Sequence, residues 1–255
     1  MGDIFLGWDV GAWNCDRNRN SRDTLCALEL RESQLFVVGR PRRSNFREQL
    51  VAHNGDALVD ALLKKLEVGT DVSRHITIAI DTPLAWPRPM LELVTSGAFL
   101  SVPPEADKNP YLFRTQELAL FTSGHRPLSV VRDMIGSQST KGIHFLRRAR
   151  LPASAIGVWS RGSTVAIETY PAAAVQDGEV DRLTARLFNG VLDRENQQRS
   201  AAWKSDVRDA IACAVVAWIH RHHPERLIAP GKTAEVAEGW IWLPASAAAL
   251  RQSAR

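Results

Sequence analysis

Ile4-Phe5-Leu6-Gly7-Trp8-Asp9-Val10-Gly11 is the stretch on which the fold turns. It is a short apolar run with an acid near its end and a glycine two residues later, so it reads as a strand that delivers one carboxylate to the edge of a sheet. The same pattern recurs twice. His75-Ile76-Thr77-Ile78-Ala79-Ile80-Asp81 is β-branched and stops at Thr82-Pro83, where proline ends strand pairing. Ser163-Thr164-Val165-Ala166-Ile167-Glu168-Thr169-Tyr170 is again β-rich and closes at Pro171. Open α/β sheets place their chemistry at strand ends, and three acids reach such ends here. Each alone has a structural reading as a helix cap or turn former.

A fourth acidic contribution comes from a helix. Between Ala210 and Ile219 the segment that begins near Lys204 is apolar on every face, which predicts a buried helix with Ser205 as its N-cap. Asp206 and Asp209 lie three apart and share a side of that helix. An acid in a first helical turn is favoured by the dipole alone, which is the bland reading of Asp206. Asp209 sits deeper in the apolar run, where an unpaired charge is costly. Carboxylates gathered in one fold repel one another unless cations offset them, so Asp9, Asp81, Glu168 and Asp206/Asp209 together imply Mg²⁺ or Mn²⁺.

Gly7-Trp8-Asp9-Val10-Gly11, Ile80-Asp81-Thr82-Pro83-Leu84, Glu168-Thr169-Tyr170-Pro171 and Asp206-Val207-Arg208-Asp209-Ala210, in that order, resemble the predicted nucleases catalogued as domain of unknown function number 429, of the ribonuclease H-like superfamily. The resemblance spans most of the chain, from about Ile4 to Pro244. It implies an α/β fold: a mixed central sheet with helices on both faces. It also implies a metal-dependent nuclease in which Asp9 bridges two cations, Asp81 and Asp209 each ligate one, and Glu168 or Asp206 ligates or orients water. Two-metal sites of this kind hydrolyse phosphodiesters by in-line displacement. The chain departs from ribonuclease H in lacking a clear glutamate on a first crossover helix; Glu48 and Asp56 are the nearby acids.

The wider sequence fits that expectation. Thr24 to Leu30 and Gln34 to Val38 read as strands continuing the first into a meander, and Asn54 to Leu66 as a helix capped by Asn54. Three strands, a helix and a strand is the order expected of a ribonuclease H-like sheet. From Pro83 the pattern turns irregular, with six prolines up to Pro110, and predicts an insertion of helices and loops over about 83–150 in a single domain. Within it, Arg126, Arg132, Lys141, Arg147, Arg148 and Arg150 face only Asp133, and a helix through Lys141 to Arg148 offers a phosphate-binding face whose bland alternative is a solvated surface. Arg114 and Glu117, three apart, either reach the site or pair with each other, and pairing is the simpler reading. A second basic group, Arg40 to Arg43 with Arg47, reads as a hairpin turn.

Composition bounds the remaining classes. The 255 residues are 45% hydrophobic with net charge +4 and pI near 9.2, which permits a polyanionic partner without requiring one. Cys15, Cys26 and Cys213 have neither zinc nor disulfide spacing and predict a reducing, cytoplasmic setting. No signal peptide is expected at the amino terminus, and no apolar run reaches the roughly 20 residues of a membrane span. Trp8, Trp240 and Trp242 read as core, and His220 to His223 as cations at a helix end. Two rival functions share the residues. Asp9-Val10-Gly11 also resembles the first phosphate loop of the sugar-kinase and actin-like superfamily, and the basic surface suits a nucleic-acid-binding module without turnover.

Overall fold

The computed structural model describes residues 2–15, 17–18, 21–69, 74–101, 105–122, 124–195 and 199–249. The three strands read from the amino-terminal third are present: β1 (Ile4–Asp9), β2 (Asp23–Arg31) and β3 (Gln34–Ser44). Helices α1 (Arg47–Ala52) and α2 (Asp56–Lys65) follow and lead to β4 (Ile76–Asp81). Gly55, not Asn54, occupies the cap of α2 and no side chain caps it, because a positive φ of 56° places glycine at that turn.

The irregular stretch is helical: α3 (Arg88–Ser96), α4 (Thr115–Thr122) and α5 (Gly136–Arg148). Pro103 and Pro104 lie outside the described residues. A hairpin, β5 (Ala153–Ala155) and β6 (Val158–Arg161), then joins β7 (Thr164–Thr169). The chain finishes with α6 (Pro171–Ala174), α7 (Gly178–Glu195), α8 (Ala201–His222), the two-residue β8 (Ile241–Trp242) and α9 (Ala245–Ala249). Among the described residues no helix is long and apolar enough to cross a membrane.

Among the described residues, eight strands form one mixed sheet in the order β3-β2-β1-β4-β7-β6-β5, with β8 beside β7. The β1 to β3 meander is antiparallel, whereas β4 runs parallel to β1 and β7 parallel to β4. Helices cover both faces, and strand alternation decides which residues meet which layer. Ile4, Leu6 and Trp8 join Ile76, Ile78 and Ile80 in a core with α2 and α5. Phe5 and Ala79 turn the other way, into a core with α7 and α8.

Helix α8 lies directly on β1. A Cβ added to Gly7 would fall 1.8 Å from the Ala210 carbonyl oxygen and 2.5 Å from the Ala214 nitrogen, so only glycine admits this contact. The helix begins earlier than its sequence suggests. Ser200, whose hydroxyl accepts from the Trp203 amide, is its N-cap, and Ser205 is internal. Asp206 therefore stands in the second turn, beyond the reach of a first-turn dipole explanation. As expected from its apolar run, the helix is buried along nearly all of Ala210 to Ile219.

Replacing Gly7 with alanine forces backbone against backbone, and we expect a loss of about 3 kcal/mol or more, the upper range for overpacking a core. Urea denaturation of Gly7→Ala against wild type measures it. A loss below about 0.5 kcal/mol, the range of an ordinary surface change, would contradict the close approach.

Candidate metal centre

Register brings the first two acids together. In the parallel β1/β4 pair Asp9 stands opposite Asp81, on strands about 4.8 Å apart. Both follow the alternation of the residues two before them, Gly7 and Ala79, and so face α8. Ala210 rests on Gly7, and four residues back along α8, about 6 Å, lies Asp206. Two residues forward along β1, about 6.6 Å, lies Asp9, so the helix contact matches the two reaches. Asp9, Asp81, Asp206, Asp209 and Glu168 all line one cleft of about 330 Å³ at the carboxyl ends of the central strands.

The electrostatics of this cleft are uncompensated. Among the described residues, Asp9, Asp81 and Asp209 have no hydrogen-bond or ion-pair partner. Burial first, then the charges of Asp81, Asp206, Asp209 and Asp23, push the Asp9 carboxyl well above the ordinary carboxylate range. Burial, with Asp209 and Glu168 adding to it, pushes Asp81 up to about 8. Asp209 rises through burial and Asp206, with Arg208 opposing. Even the Tyr170 hydroxyl, which also lines the cleft, is raised by burial and by Asp81 and Asp209.

Asp206 and Glu168 differ from these three. Asp206 accepts from Arg43 Nε at 2.5 Å, which puts one member of the Arg40 to Arg43 group at the rim of the cleft instead of in a plain hairpin. Glu168 pairs in register with Ile80, so its side chain leaves the opposite face of the sheet from Asp9 and Asp81. There the fully buried Arg114 grips it through both guanidinium arms, at 2.6 and 2.8 Å, and the Leu84 amide donates to the same carboxylate. Arg114 also binds Glu117 at 2.8 Å, so the expected pairing exists and reaches the site as well. These bonds give Glu168 and Arg114 to each other, while both still line the cleft.

The other cations expected to contact substrate lie elsewhere. Lys141 is fully buried, with its Nζ 2.5 Å from Asp23 and close to the carbonyls of Gly11 and Ala12. It fastens the loop after β1, and cannot meet a phosphate. Arg148 donates to the carbonyls of Leu50, Val51 and His53 at the end of α1. Arg147 is exposed, but nine residues along α5 from Gln138, which lines the cleft, puts it about 14 Å away. Besides Arg114, the cleft is lined by Arg22, whose buried Nε has no partner among the described residues.

Asp23 is the residue the sequence did not reveal. It is fully buried and collects Trp8 Nε1, the Gly11 and Phe46 amides and Lys141. An acid opening an apolar strand was its only signal. Trp8 is core, as read, with its ring edge-on to Phe145. Trp242 is buried and Trp240 half-buried, with their indoles bonded to carbonyls of Gly157 and Ile228. His222 pairs with Asp3 and His223 with Glu225.

Three unpaired carboxylates offer hard oxygen donors to Mg²⁺ or Mn²⁺. Among the described residues no group of three His, Cys, Asp or Glu side chains is closed tightly enough to enclose an ion. The donor chemistry fits a divalent cation, and binding one would require the side chains to draw in around it.

Carboxyls with raised folded values bind protons that the unfolded chain has released, so stability without a cation falls as pH rises from about 4 towards 8. We expect the melting temperature in EDTA to drop between pH 5 and pH 8, less so in Asp81→Asn, and Mn²⁺ to restore more of it at pH 8 than at pH 5. Differential scanning calorimetry reads all three. A melting temperature in EDTA that rises over this range, or an equal effect of Mn²⁺ at both pH values, would contradict the site.

Set against protein-family models, curated proteins and solved structures, the chain matches none of the three.

Proposed function

We propose that this protein is a divalent-cation-dependent phosphodiester hydrolase of nucleic acid, built on a ribonuclease H-like sheet. The observation that carries the reading is the convergence of Asp9, Asp81 and Asp209, from two parallel strands and a helix, in one cleft, with no ion-pair partner for any of the three among the described residues. A protein that keeps three such acids together accepts a cost in stability, which a bound cation offsets. The sheet order supports the fold: a three-stranded antiparallel meander, then a strand parallel to the first that carries the second acid.

In this reading Asp9, Asp81 and Asp209 hold Mg²⁺ or Mn²⁺, and Asp206 orients Arg43 at the rim. The cation supplies Lewis-acid polarisation of the phosphodiester and a more acidic water. Arg22, which lines the cleft, would offer its guanidinium to a phosphate oxygen. Glu168 ties β7 to the start of α4 through Arg114 and to the turn after β4 through the Leu84 amide, and so fixes the wall against which substrate rests.

The phosphotransferase alternative needs the amides after β1 to cradle a phosphate. Here the Gly11 amide donates to Asp23, the Ala12 amide to Ser21 and the Trp13 amide to Ser137. Those donors are spent on the protein itself, which weighs against a nucleotide phosphate in that loop.

End-labelled single-stranded, duplex, hybrid and junction substrates incubated with Mn²⁺ or Mg²⁺ test the proposal. Wild type should cut at least one of them. Since even an outer-shell partner of a metal is worth about 10–100-fold, Asp81→Asn should cut more than about 100-fold more slowly while melting no lower than wild type. Wild-type rates in that variant would remove Asp81 from the chemistry. No cleavage of any substrate, with no Mn²⁺-induced stabilisation, would sink the hydrolase.

A further inference from the structure

Beside the acid cleft lies a larger cavity of about 650 Å³, and Pro127 and Leu128 line both. Its walls are apolar and aromatic: Phe113 and Phe121, whose rings meet edge to face at 5.1 Å, with Leu118 and Leu128. Among the described residues, its charged side chains are three cations against two acids. Lys108, Arg126 and Arg132 line it, and neither Lys108 nor Arg126 has an ion-pair partner among the described residues. The acids present are Asp107 and Asp133, and Asp133 is engaged by the Ser129 amide and by Arg132. The Arg132 guanidinium sits 5.7 Å above the Phe113 ring.

We propose that this cavity holds an unpaired nucleobase of a single strand whose neighbouring phosphate enters the acid cleft. The inference rests on the phosphodiesterase reading of that cleft and names its substrate class. Three features point to this occupant. Aromatic rings and a guanidinium plane are the surfaces on which unstacked bases are recognised. The volume falls in the roughly 300–1,000 Å³ range of pockets for compact organic ligands, whereas a duplex would have to extrude a base to enter. Exposed cations beside the apolar wall complement the phosphates flanking a bound base.

The wall between the two spaces is bonded to its surroundings on both flanks. Tyr170, which lines the acid cleft, reaches the Arg126 carbonyl at 3.4 Å, and the Ser129 hydroxyl is bonded to the Leu112 carbonyl. Base and phosphate would thus occupy adjoining compartments with a common divider at Pro127 and Leu128. Stacking on such a platform is sequence-tolerant, because every base has a π face, so the proposal predicts preference for strandedness and not for sequence.

The test is fluorescence anisotropy in EDTA, which separates binding from cation and hydrolysis. The probes are a labelled single-stranded oligonucleotide and a strand of equal length made of abasic units, which carries the same phosphates. One stacked base is worth about 1–3 kcal/mol, so wild type should bind the intact strand about tenfold tighter or more. Phe121→Ala should reduce that ratio towards one, and because both strands carry equal charge the ratio is blind to electrostatic changes. Leu128→Gln, at a position 55% exposed and therefore tolerant, repeats the test should Phe121→Ala fold poorly.

Equal affinity of wild type for the two strands, no binding of either, or a blunt duplex bound as tightly as the single strand would overturn the proposal. So would a ratio unchanged in a folded variant. Base-selective binding without Mn²⁺-dependent cleavage would keep the base site and remove the hydrolase. Cleavage without base selectivity would do the reverse.

Discussion

The contact between Gly7 and the backbone of α8 sets the geometry of everything that follows. It lets a helix rest on the central strand at a distance no side chain would permit. Because the helix advances 1.5 Å per residue and the strand about 3.3 Å, a common origin at Gly7 and Ala210 carries Asp9 and Asp206 to the same level. Parallel pairing then places Asp81 beside Asp9. One glycine and one register therefore assemble carboxylates that lie about 200 residues apart in the chain.

That assembly works against folding. Burial and mutual repulsion hold Asp9, Asp81 and Asp209 in their neutral forms over a pH range where isolated carboxyls are charged. The surroundings are built to tolerate it. On one side the Asp23–Lys141 pair gathers the loop after β1, so that Lys141 and the Gly11 amide are engaged away from the acids. On the other, Arg114 absorbs Glu168 and Glu117 in a buried network that spares the cleft a further free charge. The structure thus distinguishes acids that are satisfied internally from acids left open, and the open ones are those of β1, β4 and α8.

Much of this was legible in the chain. Strands β1 to β4 and β7 announce themselves through β-branched runs stopped by proline, glycine or polar turns, and the buried stretch of α8 through its unbroken apolar sequence. What escaped was parity and partnership. Glu168 shares the strand-end pattern of Asp9 and Asp81, but its register opposite Ile80 turns it to the other face, and a one-residue offset in pairing is not written in a single strand. Lys141 reads as a surface cation from α5 alone; its burial depends on Asp23, 118 residues away. The start of α8 was misplaced because Ser205 and Ser200 are both good caps, and only the Trp203 amide bond selects Ser200. Arg22 carried no local pattern at all.

Whether the open acids of β1, β4 and α8 are cation ligands is read from anomalous scattering of crystals grown with Mn²⁺. An anomalous peak is expected in the cleft with oxygen atoms of Asp9 and Asp81 at roughly 2.1 Å, the range of octahedral oxygen ligation. Crystals with Mn²⁺ bound only outside this cleft, or with Asp9 and Asp81 still facing an ion-free pocket at saturating Mn²⁺, would contradict it.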